Sequence, residues 1–154
     1  MRRIVLALVA SAAMVLSFAI ATASSSAARA PNGHGFTLSG SVVGGVTSAE
    51  SGQPLTFAFS EKNTGSTSQT VDLVLESLSH ANLVSVGCVL PGGAQINPDG
   101  QDCEPGFLSH GQTASIVLGA TITGSSGNVA ARLCLSNEGT GVVGPCQTLT
   151  VPLA

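Results

Sequence analysis

Two arginines ahead of an apolar run decide what chemistry is open to the rest of this chain. Arg2 and Arg3 precede the run Ile4 to Ile20, and Ala21, Thr22, Ala23 and Ser24 follow it. Positive charge, greasy stretch and small-residue exit are the three parts of a secretory signal peptide. Residues 1–23 therefore read as a leader cut after Ala23. Ala28-Arg29-Ala30 offers a second cut, but the proline that follows it hinders cleavage. The 17-residue run approaches the roughly 18 or more needed for an uncleaved membrane anchor, but the small-residue exit argues against one. Export places the remainder in an oxidising compartment, where Cys88, Cys103, Cys134 and Cys146 are expected to form bridges rather than serve as catalysts or metal ligands.

A cut after Ala23 leaves 131 of the 154 residues, enough for one domain. Residues 24–35 read as a disordered arm and 36–154 as the folded unit. The arm and domain hold Arg29, Lys62 and Arg132 against eight acidic residues, a net charge of −5. Three scattered cations cannot displace counterions from a phosphate backbone, which excludes a nucleic-acid binder. An anionic membrane surface is disfavoured for the same reason. With no Trp or Tyr, the interior is expected to be built from Val, Leu and Ile together with Phe36, Phe57, Phe59 and Phe107.

The hydrophobic pattern has the period of strands. Leu55-Thr56-Phe57-Ala58-Phe59-Ser60 alternates, and Val71 to Glu76 repeats the alternation with Asp72, Val74 and Glu76 on one face. Leu83 to Leu90 reads as a further strand, closed by Pro91-Gly92-Gly93. Ile116 to Thr123 is the longest regular run, and strands over Val129–Leu135 and Gln147–Val151 end the domain. No stretch reads as a helix long enough for a crossover between parallel strands. Seven or eight short strands at this spacing predict an all-β, antiparallel β-sandwich.

Four cysteines allow three connectivities. Strand parity places Cys134 with Arg132, and Cys146 with Thr148, on polar faces, consistent with a bridge across a hairpin on the solvent side. The same neighbour logic pairs Cys88 with Cys103 around the Pro91–Gly100 loop.

Ser51-Gly52-Gln53-Pro54-Leu55-Thr56-Phe57 followed by Lys62-Asn63-Thr64-Gly65 resembles the opening of the bacterial conserved-repeat Ig-like domains, a group of unknown function related to cell-adhesion modules. Cys88, Leu90-Pro91-Gly92-Gly93, Cys103 and Phe107 to Ala114 resemble the later part of that pattern, where a turn leads into a long strand. The resemblance spans roughly Phe36 to Val151 and implies a secreted or cell-surface Ig-like sandwich used in adhesion or wall architecture. It carries no catalytic residues. The chain departs from the family in holding one copy where members often hold tandem repeats.

Asn97, Asp99 and Asp102, flanking Pro98, Gly100 and Gln101, gather oxygen donors and form the candidate calcium site. The same residues suit a type I turn, and no bidentate Glu stands at the end of the run. His34, His80 and His110 lie in an arm or in turns, without the spacing of a zinc site. No cofactor is implied. A nucleophile elbow is lacking, and Asp72 and Glu76 read as decorations of a solvated face, so no enzyme is expected.

The leading expectation is a secreted, non-catalytic module that contacts the cell envelope or an unknown extracellular protein. A small-ligand carrier, similar in plan to neocarzinostatin-type apoproteins, is the alternative and calls for an apolar cleft of about 300 Å³ or more. A protease inhibitor, presenting the Pro91–Gly100 loop as a rigid convex reactive segment, is the third.

Overall fold

The computed structural model describes residues 35–96, 101–137 and 141–154, together with the backbone of Ala28–Arg29. In chain order the strands are β1 (Ala28–Arg29), β2 (Phe36–Val42), β3 (Pro54–Asn63), β4 (Gln69–Thr70), β5 (Asp72–Ser79), β6 (Ala81–Val89), β7 (Gln95–Ile96), β8 (Asp102–Cys103), β9 (Phe107–Leu108), β10 (Thr113–Ile122), β11 (Asn128–Asn137) and β12 (Gly141–Pro152). Among the described residues the only helical pieces are two single 3-10 turns, Val43–Gly45 and Pro91–Gly93. The expected cut sites and most of the expected arm lie outside the described residues; Ala28–Arg29, within that arm, lies alongside Thr37–Leu38.

Six strands form one main sheet in the order β1-β2-β3-β10-β6-β7, four form the second in the order β12-β11-β5-β8, and β4 pairs with β9 in a separate two-stranded piece. The ladders within both sheets are antiparallel. Period-two alternation explains the layering, because each strand hides every second residue. Phe36, Leu38, Phe57, Phe59, Ile116, Leu118 and Ile122 come from the larger sheet; Leu73, Leu75, Val129, Leu133 and Val151 meet them from the smaller one. The all-β antiparallel sandwich expected from the sequence is the fold observed, with seven strands of seven residues or more.

The interior differs from expectation at one aromatic. Phe107 is 77 % exposed. Its neighbour Leu108 takes the inward position of β9, and a two-residue strand has room for only one inward side chain.

The chain changes sheets between β5 and β6 within a single residue. His80 takes a left-handed backbone (φ 56°) there, an unusual conformation for a side chain other than glycine. Its carbonyl accepts bonds from the N–H groups of Thr123 and Gly124, and its Nδ1 bonds the carbonyl of Asn128. Those contacts hold the corner that sends consecutive strands into opposite layers.

Asn63, Thr64 and Gly65 form a second corner. The buried Asn63 side chain donates to the carbonyls of Thr67 and Leu108 and accepts from the Gly65 N–H. Thr64 Oγ1 donates to the Gly35 carbonyl. Gly35 and Gly65 touch backbone to backbone, and a Cβ on Gly35 would come within 2.4 Å of the Gly65 Cα. The N-T-G residues thus lock strand ends together and leave no side-chain function over for a ligand.

Candidate functional site

Strand β6 borders the larger sheet. It pairs with β10 along its length, while on its other side β7 reaches only Cys88 and Val89. Among the described residues, Ala81 to Gly87 therefore have no second partner strand. The ladder slips once: Gly119 pairs with Ser85 and Ala120 with Leu83, which leaves Val84 as an extra residue. Gly119 leaves room for the hydroxyl of its ladder partner, since a Cβ there would lie 2.4 Å from Ser85 Oγ. Val84 is pushed outward and is 68 % exposed.

Beside this edge runs an open groove of about 350 Å³ lined by Val86, Gly87, Val89, Ile96 and Val117, with Cys88 and the polar Gln95. No Asp, Glu, Lys or Arg occurs from Ser77 to Pro98 or in β10, so groove and edge are neutral in a chain of net negative charge. Free strand edges offer a row of backbone donors and acceptors, and natural sheets usually guard them with charge or bulges. Here the bulge guards the middle, and charge guards nothing. The combination suits an extended segment that pairs with β6 and seats apolar side chains in the trough.

The described part of the Pro91–Gly100 loop folds back through β7 onto β6, with Leu90 N–H bonded to the Ala94 carbonyl and Gly93 N–H to the Leu90 carbonyl. Those bonds turn it toward its own sheet rather than outward as a convex inhibitor loop.

The cysteines pair as Cys88–Cys103 and Cys134–Cys146. Cys88 and Cys103 are both fully buried, and their bridge ties β6 of one sheet to β8 of the other. Cys134 and Cys146 face each other across the β11–β12 ladder, with Cα atoms 4.0 Å apart. This second bridge lies on the outer face, as parity predicts, but the expected solvent setting needs correction. Cys134 has no exposed surface and Cys146 is half-buried. Glu76, on neighbouring β5, forms an ion pair with Arg132 and places Oε2 3.1 Å from Cys134 Sγ.

One acid that belongs in the sequence reading is missing from it. Glu61 continues the inward series Leu55, Phe57, Phe59 and is fully buried, with neither carboxylate oxygen bonded. Burial, helped by the like charge of Asp72, pushes its pKa up to about 8. The signal was the alternation itself, carried two residues further. Glu61 lies inside β3, so the strands carry an inward-facing acid besides Asp72 and Glu76.

The candidate calcium ligands are only partly placed. Asn97 and Asp99 lie outside the described residues, and Asp102 is half-buried in β8 opposite Val74. A small hollow of about 180 Å³ lies nearby, lined by Thr70, Asp72, Glu104 and Gly106. His80 holds the sheet-changing corner; His110 Nδ1 bonds the Gly65 carbonyl, a turn contact. His34 lies outside the described residues.

No protein-family model matches the sequence, and no curated protein matches it. Solved structures with a similar strand arrangement include the CARDB domain of the PF1109 protein from Pyrococcus furiosus, in complex with di-metal ions. It is 12 % identical, over 77 % of this chain and 87 % of that one, with a TM-score of 0.47. The major pilin subunit BcpA of Bacillus cereus is 10 % identical over 77 % of this chain, with a TM-score of 0.47. The serine-rich repeat protein Srr2 of Streptococcus agalactiae is 12 % identical over 80 % of this chain, with a TM-score of 0.46. This chain spans 40 % of the pilin and 47 % of the repeat-protein structure. At this distance no function transfers from any of them.

Proposed function

We propose that the chain is a secreted, non-catalytic Ig-like module that binds an extended segment of an extracellular or envelope protein along β6. The observation that carries this reading is the uncharged edge Ala81–Gly87, which has no second partner strand among the described residues, beside a neutral groove. The signal-peptide pattern and the resemblance to conserved-repeat Ig-like domains support an extracellular setting; the two disulfides agree with it.

The test separates place from contact. Culture-supernatant and envelope fractions are probed for the native protein, and the mature domain is used to capture partners beside a Val84→Lys variant. The reading predicts a processed, extracellular protein whose specific captures vanish with the lysine. Cytoplasmic retention, or captures that ignore the substitution, would sink it.

The carrier reading keeps one observation in its favour: at about 350 Å³ the groove just passes the lower end, roughly 300 Å³, of small-ligand sites. Its walls are a strand edge and a sheet surface rather than an enclosing cleft. Saturable uptake of an apolar fluorophore, competed by nothing that blocks the edge, would favour it.

A further inference from the structure

We infer that the Glu76 carboxylate protects the Cys134–Cys146 bridge against attack by small thiols. Thiol–disulfide exchange needs a thiolate that reaches one sulfur and a second sulfur that departs as a thiolate. Cys134 has no exposed surface, so an incoming thiolate can reach only Cys146, which is half-buried. The reagent's sulfur then bonds to Cys146 Sγ, the Cys134–Cys146 bond breaks, and its electron pair stays on Cys134.

That leaving thiolate would form in the worst place on this face. A disulfide sulfur has no proton to give, so the 3.1 Å contact sets a bare carboxylate oxygen of Glu76 against Cys134 Sγ. A negative charge on this sulfur meets both burial and a like charge, each of which raises a thiol's pKa and makes it a poor leaving group. Arg132, two residues from Cys134 on the same face, is a cation already engaged, since it directs its Nε to Glu76. The accessible sulfur therefore has the reluctant partner, and the willing route is sterically closed.

The other bridge supplies the internal control. Cys88 and Cys103 are buried in the core, on the inner side of the sheet whose outer face carries this device, and opening them requires the sheets to part. The folded wild-type protein, Glu76→Gln and Arg132→Gln are each exposed to reduced glutathione at neutral pH. Free thiols are trapped by alkylation and located by mass spectrometry over time. Glu76→Gln removes the carboxylate's charge and frees the guanidinium to face the departing sulfur. It is expected to speed reduction of Cys134–Cys146 at least tenfold while leaving Cys88–Cys103 unchanged. Arg132→Gln keeps the carboxylate without its counter-charge and is expected to react no faster than wild type. An unchanged rate in Glu76→Gln overturns the inference. So does equal acceleration of both bridges, which would mean that the glutamate acts through global stability, and so does faster reduction in Arg132→Gln.

Discussion

The two disulfides join the same atoms for different structural ends. Cys88–Cys103 crosses the interior from β6 to β8, whereas Cys134–Cys146 clasps two strands already paired over their length. The chain segments they close are similar, 15 and 12 residues, so chain entropy alone would rank them nearly equal at about 3 kcal/mol each. What separates them is what surrounds each sulfur in the folded state. Removing the first opens holes in the packed core; removing the second leaves a ladder that still holds β11 to β12. A bridge's worth thus depends on whether other contacts repeat its work.

The sharpest way to break this comparison is to delete each bridge separately. Cys88→Ala with Cys103→Ala is expected to lower unfolding free energy by about 4–5 kcal/mol, the upper end for a native bridge plus a small cavity. Urea unfolding reads it directly. If this loss matches that of the outer bridge, the inter-sheet role is wrong.

The next effect concerns pH, and it tests the same interior. Glu61 has a folded pKa raised from 4.5 to about 8, so the folded state holds its proton more tightly than the unfolded chain. Its contribution is fully favourable below pH 4.5 and is lost as pH rises toward 8 and past it. Glu61→Gln should flatten the wild-type decline between these limits and be the more stable form at pH 8, by an amount on the order of a few kcal/mol. Parallel stability curves for the two proteins across that range would show that the carboxyl is not buried as described.

Cys134→Ala with Cys146→Ala comes third, at about 2 kcal/mol, below the entropic figure because the surrounding ladder persists. Its diagnostic sign is local: faster amide exchange in β12 without comparable change in β3. Smallest of all is Val84→Lys. An exposed bulge residue should shift stability by no more than about 0.5 kcal/mol, which makes it a clean probe of binding at the edge.

Much of the architecture was legible because alternation survives in single strands. Phe57 and Phe59, Leu73 and Leu75, and Leu133 and Leu135 face inward as their spacing predicts. The cysteine pairing followed from strand neighbours. What escaped the sequence had physical causes. Charge weighs against burial at Glu61, although its position continues the inward series of β3. The bulge at Val84 depends on how β10 pairs with β6, a relation between residues about 35 apart that no local pattern encodes. β12 begins at Gly141, earlier than its apolar pattern shows, because a ladder partner can extend a strand through glycines that have no strand preference of their own. The groove is legible only after β7 folds back, since Ile96 has no sequence reason to approach Val117.

The central position of β10 has a temporal consequence. β2 and β3 can pair early, being close in sequence, but the far side of β3 and the inner side of β6 both wait for Thr113–Ile122. Until that segment is available, Phe57 and Phe59 have only half their eventual shelter. A nascent chain stopped before residue 122 would hold a greasy, unclosed sheet, and assembly must be slow to begin and abrupt to finish.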